Sequence, residues 1–378
     1  MKTDTILAQA GARRDPSTGA ISMPIHTSAA FQHPALGQST GFDYSRTANP
    51  TRLALEETLA KLEGGAKACA FASGLAALDA ALSFFSSGDR LVVTEDLYGG
   101  TFRLLERFGR QKGLDFIYVD TSDNKAVLQA LDQPDVKGLL VESPSNPFLK
   151  VADLKSLGAA CKERALLFIV DNTFLTPFLC RPLDFGADLT VYSATKYLGG
   201  HNDLIAGLVV AKNAELGERL AFVQNAVGAI LGPFESWLLL RSLKTLAIRL
   251  KRHGENALVV ANFLRRHKGV KKLYYPGLES DPGHKTLSAQ AQGFGAVISL
   301  EVESRARVES ILSGVKVFMF AESLGGPESL VTFPLLQTHA DLDEAAKARL
   351  GLTDRLLRLS IGLEDADDLI GDLEVVLS

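Results

Sequence analysis

The sequence is poor in cysteine. Its three thiols, Cys69, Cys161 and Cys180, are an odd number spread widely through 378 residues with no C-x-x-C spacing, which argues against a disulfide framework and a cysteine zinc site. A reducing compartment fits. Basic charge is not in excess either: a formal net charge of −4 leaves no electrostatic footprint for nucleic acid and no polybasic patch for a membrane surface. Long apolar runs are also missing. No stretch reaches the ~18 apolar residues of a spanning helix, and the opening MKTDTILAQAGARRDP holds no signal-peptide core, so the expected location is cytoplasmic. The histidines, among them His26, His33 and His201, show no H-E-x-x-H or comparable pairing, and no metal is expected. His201 reads as a structural hydrogen-bonding residue. Internal repeats and low-complexity tracts are absent.

What is present is ordinary globular material, 46% hydrophobic and 22% charged, enough for a large domain plus a smaller one. In NPTRLALEETLAKLEGG, Asn49 is a helix N-cap, Pro50 takes the first helical position, Leu55, Leu59 and Leu62 share a face, and Gly64 ends the helix. Short apolar runs then recur: RLVVT, LDFIYVD, KGLLVE, LLFIVDN, DLTVYS and AGLVVAK. Continuous apolar strands at crossover spacing predict an α/β fold with a mainly parallel sheet covered on both faces. From about 234 a long helical stretch, ESWLLLRSLKTLAIRLKRHGENALVVANFLRRH, carries Leu239, Leu243, Leu246 and Leu250 on one stripe and is expected to turn its basic residues to solvent. GAVISLEV, GVKVFMFA, LLRLSIG and a last helix with Leu369, Leu373 and Val376 then predict a smaller α/β C-terminal domain. The expected divisions are residues 1–48, 49–233 and 234–378.

One lysine sits oddly. Lys196, in VYSATKYLGGHND, follows an apparently buried strand and stands among small hydroxyl and glycine neighbours. In doubly wound sheets ligands collect at the carboxyl ends of strands, where Asp171 and Ser193 would both lie. A desolvated amine at that mouth is a nucleophile toward a carbonyl, such as that of an imine-forming cofactor. Pyridoxal phosphate (PLP) requires in addition a carboxylate for its pyridine nitrogen, donors for its phosphate and a flat group against its ring. Asp171 is the candidate carboxylate, although DNT also suits a cap or a strand-end turn. Ser73 and Gly74, opening the helical LAALDAAL, offer N–H groups to an anion; Ser193 and Thr195 add hydroxyls. Tyr44 and Arg46, two apart in a stretch read as extended, point the same way, and Tyr98 in EDLYGGTFR supplies the flat group. A hydride-transfer reading, prompted by Tyr-x-x-x-Lys in YSATK, has no G-x-G-x-x-G to support it.

With FDYSRTANPTR, FASGLAAL, DLYGGTFR, SPSNP, VDNTF, SATKYLGGHND, AESLGGPESL and LLRLSIGLED in order, the chain resembles the Cys/Met-metabolism family of PLP enzymes, the trans-sulfuration group, from about residue 5 to its end. The resemblance implies the PLP-dependent transferase fold (aspartate-aminotransferase-like, fold type I) and a homotetramer, a dimer of dimers acting on small amino acids. It implies that Lys196 bears the cofactor and shuttles protons, that Asp171 pairs with the pyridine nitrogen and that Tyr98 stacks on the ring. The phosphate would be held by Gly74, Leu75, Ser193 and Thr195, with Tyr44 and Arg46 reaching in from the neighbouring subunit along an N-terminal arm, residues 1–48. Substrate contacts would be Arg358 as the α-carboxylate clamp, Asn146, Ser323, Arg103 toward the distal end, and Glu322, a glutamate of γ-synthases and γ-lyases where several β-lyases carry an uncharged residue. Gly100 stands where methionine γ-lyases carry a reactive cysteine, and Pro327 is unusual in its glycine loop. The implied activity is cystathionine γ-synthase, with cystathionine γ-lyase or β-lyase as alternatives. A catalytically silent PLP-fold binding protein is the alternative of another class.

Overall fold

Two sheets organise the chain in a computed structural model that describes residues 1–378. The larger has seven strands: β1 (Lys67–Phe71), β2 (Arg90–Thr94), β3 (Asp115–Val119), β4 (Val136–Glu142), β5 (Leu167–Asp171), β6 (Leu189–Ser193) and β7 (Gly207–Ala211), in the order β1-β7-β6-β5-β4-β2-β3. Neighbours from β6 through β3 pair in parallel, and β7 runs antiparallel to both β6 and β1. Apart from the edge strand β3, the parallel strands are largely buried because crossover helices cover both faces, which is why their sequences run apolar without alternation. The carboxyl ends of β4, β5 and β6, at Glu142, Asp171 and Ser193, therefore open on one side of the sheet.

The second sheet has five strands, β8 (Lys272–Tyr274), β9 (Val297–Glu301), β10 (Met319–Phe320), β11 (Leu330–Thr332) and β12 (Leu356–Ser360), in the order β10-β11-β12-β9-β8. The large hydrophobic cluster contains Val170 and Leu208 of the first sheet together with Ile298 and Leu359 of the second. The sheets thus share one continuous core.

The capped helix forms as the sequence dictates, over Pro50–Glu63. The Asn49 side chain accepts from Thr51 N–H at 2.9 Å and Arg52 N–H at 3.4 Å, and Gly64 closes the helix at φ 78°. Three expectations are corrected. The long helix after 234 is two, Pro233–Leu243 and Leu246–Leu264; at the break the Ser242 carbonyl accepts from the side chains of Thr245 and Arg249 at 3.1 and 3.0 Å. Arg249 is not on a solvated face but buried, and also donates to the Tyr197 carbonyl at 2.8 Å. The stretch around Tyr44 and Arg46 turns rather than extends, with Thr47 and Ala48 N–H both returning to the Tyr44 carbonyl, yet the Arg46 guanidinium still lies 5.6 Å from the Tyr44 ring. Within residues 1–48, Leu7, Ala10 and Met23 are buried in the chain's own core. No helix is long and apolar enough to cross a membrane.

Candidate active site

A cavity of about 310 Å³ opens where the carboxyl ends of β4, β5 and β6 face the second sheet. Asp171 closes β5 and is part-buried, its carboxylate accepting from the Thr173 backbone N–H at 3.0 Å. The Asx turn allowed by DNT thus exists, and the same carboxylate lines the cavity. Burial raises its pKa, opposed by the Thr173 hydroxyl and N–H. A desolvated carboxylate without a cationic partner is costly, and a protonated ring nitrogen would complete it.

Lys196 lies just beyond β6, its ammonium donating to the Ser323 hydroxyl at 2.8 Å. Burial, and after it the Arg358 guanidinium, lower its pKa to about 8. Ser323 holds φ at 95°, a left-handed conformation unusual for a residue with a side chain, and its carbonyl accepts from Arg358 Nη2 at 2.9 Å. Arg358, on β12, is itself buried; Nη1 donates to Asn146 Oδ1 at 2.9 Å, while Nε has no partner. A buried guanidinium that lines the cavity with its hydrogen-bonding capacity not fully used suits a carboxylate ligand. Burial lowers its pKa to about 10.

An anion seat is formed by the helix Gly74–Leu82. Ser73 caps it, its hydroxyl accepting from Ala76 N–H at 3.1 Å and its carbonyl from Ala77 N–H at 3.0 Å, which leaves the N–H groups of Gly74 and Leu75 without an acceptor in the helix. A Cβ at Gly74 would stand 2.9 Å from Ser193 Cβ, so glycine is what lets the helix end approach β6. The Ser193 side chain lines the cavity; Thr195 does so while exchanging hydrogen bonds with Ala206, accepting at 3.0 Å and donating at 3.3 Å.

The cavity also brings in Leu75, Tyr98, Asn146, Glu322 and Ser323, as the sequence led us to expect. Three expected residues lie outside it. Arg103 is on the surface, paired with Asp341. Tyr44 is half exposed and Arg46 donates to the Asn225 carbonyl at 2.8 Å. Glu142, Thr173 and Thr338 line the cavity without having been singled out in the sequence. Glu142 carried a usable signal, since it ends an apolar run just as Asp171 does.

These groups fit PLP: a desolvated amine, a carboxylate short of a cation, a helix start with the N–H groups of Gly74 and Leu75 unused, and an aromatic ring in one cavity. A family profile described as Cys/Met metabolism PLP-dependent enzyme matches residues 4–378. The chain belongs to that family. The enzyme is 46% identical over 373 residues to the cystathionine gamma-lyase of Bacillus subtilis, with 99% of this chain and 98% of the relative covered. It is 44% identical to the cystathionine beta-lyase of Lactococcus lactis subsp. cremoris, at 99% and 98% coverage. Among solved structures, the cystathionine gamma synthase of Xanthomonas oryzae pv. oryzae, in complex with aminoacrylate and cysteine, superposes with a TM-score of 0.98 at 43% identity, covering 100% of this chain and 98% of that one. The enzyme is thus a PLP-dependent trans-sulfuration enzyme of the γ-synthase, γ-lyase or β-lyase type, and a silent binding module is set aside.

Proposed function

We propose that the enzyme is a cystathionine γ-synthase, replacing the acyl group of O-acetyl- or O-succinylhomoserine with the sulfur of cysteine. The observation that carries this reading is the position of Glu322. Together with Thr195, Ile205 and Ser323 it lines both the site cavity and a second, adjoining one of about 640 Å³. Replacement at the γ-carbon needs room for a second amino acid beside the first, and a carboxylate at the seam offers that molecule's ammonium group a partner. The family resemblance associates this glutamate with enzymes acting at the γ-carbon.

PLP, when bound, supplies an electron sink for the pair left behind as a proton leaves the substrate's Cα. Lys196 would hold the cofactor and move protons at Nζ when its amine is free; a pKa lowered to about 8 makes the neutral amine far more abundant than in an ordinary lysine. Ser323 orients that amine through its hydroxyl. Arg358, braced by Asn146, holds the substrate carboxylate and so fixes which Cα bond faces Lys196. Asp171 would keep the ring nitrogen protonated, Tyr98 would lie against the ring, and Gly74, Leu75, Ser193 and Thr195 would hold the phosphate. Tyr44 and Arg46 serve the partner's site in a homotetramer; their place outside this chain's own cavity, beside the helix Ala214–Val227 with Phe222 and Val227 exposed, supports that role. Arg103 would meet the distal end of a long substrate.

Purified holoenzyme given O-acetylhomoserine with cysteine is expected to consume it faster than it consumes cystathionine alone. Release of 2-oxobutanoate from cystathionine as the only activity would replace this reading with a γ-lyase, which shares Glu322 and differs in letting water reach the intermediate in place of thiol.

A further inference from the structure

Tyr98 lies on a loop between β2 and the short helix Gly99–Arg103, a weak place from which to hold a ring in position. The peptide unit joining Leu97 to Tyr98, however, is bound at both ends by side chains from distant parts of the chain, Glu142, partly buried, and His339, fully buried. Its N–H donates to Glu142 Oε2 at 3.0 Å. Its carbonyl accepts from His339 Nε2 at 3.2 Å. The same Nε2 lies 2.9 Å from the Asn146 carbonyl, and His339 Nδ1 lies 2.8 Å from the Thr338 hydroxyl.

The hydrogen-bond chemistry fixes the imidazole. Two carbonyls can only accept, so Nε2 carries the proton and Nδ1 is left to accept from Thr338. Burial keeps the ring neutral, with a pKa lowered to about 4. Glu142 stands directly across the β4–β5 ladder from Asp171. Burial, then the nearby Asp171 carboxylate, hold its carboxyl well above the usual range, with Asp96 adding to the effect and Tyr98 N–H and Arg358 opposing it. Two adjacent desolvated carboxyls do not both ionise readily. Glu142 is thereby biased toward its neutral form, which still offers an acceptor to Tyr98 N–H. The fit is also steric: a Cβ at Gly99 would stand 2.1 Å from the Thr338 carbonyl oxygen, so the segment carrying His339 is seated on the backbone just after Tyr98.

We propose that Glu142 and His339 are positioning residues, a two-sided clamp on the Leu97–Tyr98 peptide that sets the Tyr98 ring against the cofactor. The clamp rests on the assignment of Tyr98 to the cofactor ring. It also joins the C-terminal part of the chain to the loop that carries Asn146, so that three site residues, Tyr98, Asn146 and Asp171, adjoin one buried network.

The test is a PLP titration of the full-length apoenzyme, followed by the visible band and its induced circular dichroism. E142A and H339A should each weaken PLP binding roughly tenfold, the scale of one buried hydrogen bond lost. E142Q, which keeps the acceptor, and H339Q, which keeps an N–H, should return to within about threefold of wild type on the same scale. In a Y98A background the alanine changes should cost nothing further. Wild-type affinity in E142A and H339A, glutamine variants as weak as the alanines, or losses that add to that of Y98A would each overturn the clamp. Should an alanine variant not fold, amide exchange in the wild-type apoenzyme decides: Tyr98 N–H is expected to be protected, and exchange at open-loop rates contradicts the proposal. Borohydride reduction separates the two readings. Wild type trapped at Lys196 but indifferent to the clamp variants sinks the clamp alone, whereas trapping elsewhere sinks the functional reading and the clamp with it.

Discussion

At the scale of single residues, the site is a problem of desolvated charge. Arg358 is buried and Lys196 and Asp171 are partly so, and desolvation shifts each toward its neutral form: the amine to about 8, the guanidinium to about 10 and the carboxyl upward. The sign for Lys196 follows directly. Its folded pKa is below the ordinary 10.5, so between about 8 and 10.5 the unfolded chain binds more protons, and this group's contribution to apoenzyme stability rises with pH across that window. The neutral amine is also the form that reacts with an aldehyde. The rate of PLP uptake by apoenzyme, followed by stopped-flow absorbance, is therefore expected to climb through pH 8 and level off above it. A climb centred near 10 would mean that the amine is not desolvated. Residue chemistry singled out Lys196 and Asp171, the family resemblance added Asn146 and Arg358, and all four line one cavity. Their partners were not legible. The Ser323 hydroxyl reaches Lys196 across 127 positions of sequence, and Arg249, read as a surface charge, binds carbonyls in the interior.

At the scale of elements, strands that carry branched residues and end in a charge or hydroxyl were read well, as at β2, β5 and β6. The failures have physical causes. KACAF lacks β-branched residues, and β8 and β11, at three residues each, are too short for a pattern to declare itself. GVKVFMFA reduces to the two-residue edge strand β10, with Met319 and Phe320 both exposed. The break between the helices Pro233–Leu243 and Leu246–Leu264 carries no glycine or proline and depends on side chains that take over the Ser242 carbonyl. The helix Gly74–Leu82 gives a prediction at this scale. Gly74→Ala would put a methyl 2.9–3.0 Å from Ser193 Cβ, Cα and Oγ, so the helix start must draw back from β6. The affinity of the apoenzyme for PLP should fall roughly tenfold, the scale of a lost hydrogen bond to a charged group; an unchanged dissociation constant would show that the phosphate is held elsewhere.

At the scale of the molecule, the first sheet supplies strand ends and the second supplies Arg358 and the Ser323 loop, and the core that runs through both keeps the two halves of the site in register. The architecture was legible because a parallel sheet leaves continuous apolar runs; the way residues 1–48 divide was not, since Leu7 and Met23 look no different in sequence from the exposed Ile21 and Leu36. All of this converges on one amine. Borohydride reduction of the PLP-loaded enzyme followed by peptide mapping is expected to place a single pyridoxyl adduct on Lys196, and to find none in Lys196→Ala. A loaded protein that shows no visible band, or an adduct on any other lysine, would contradict it.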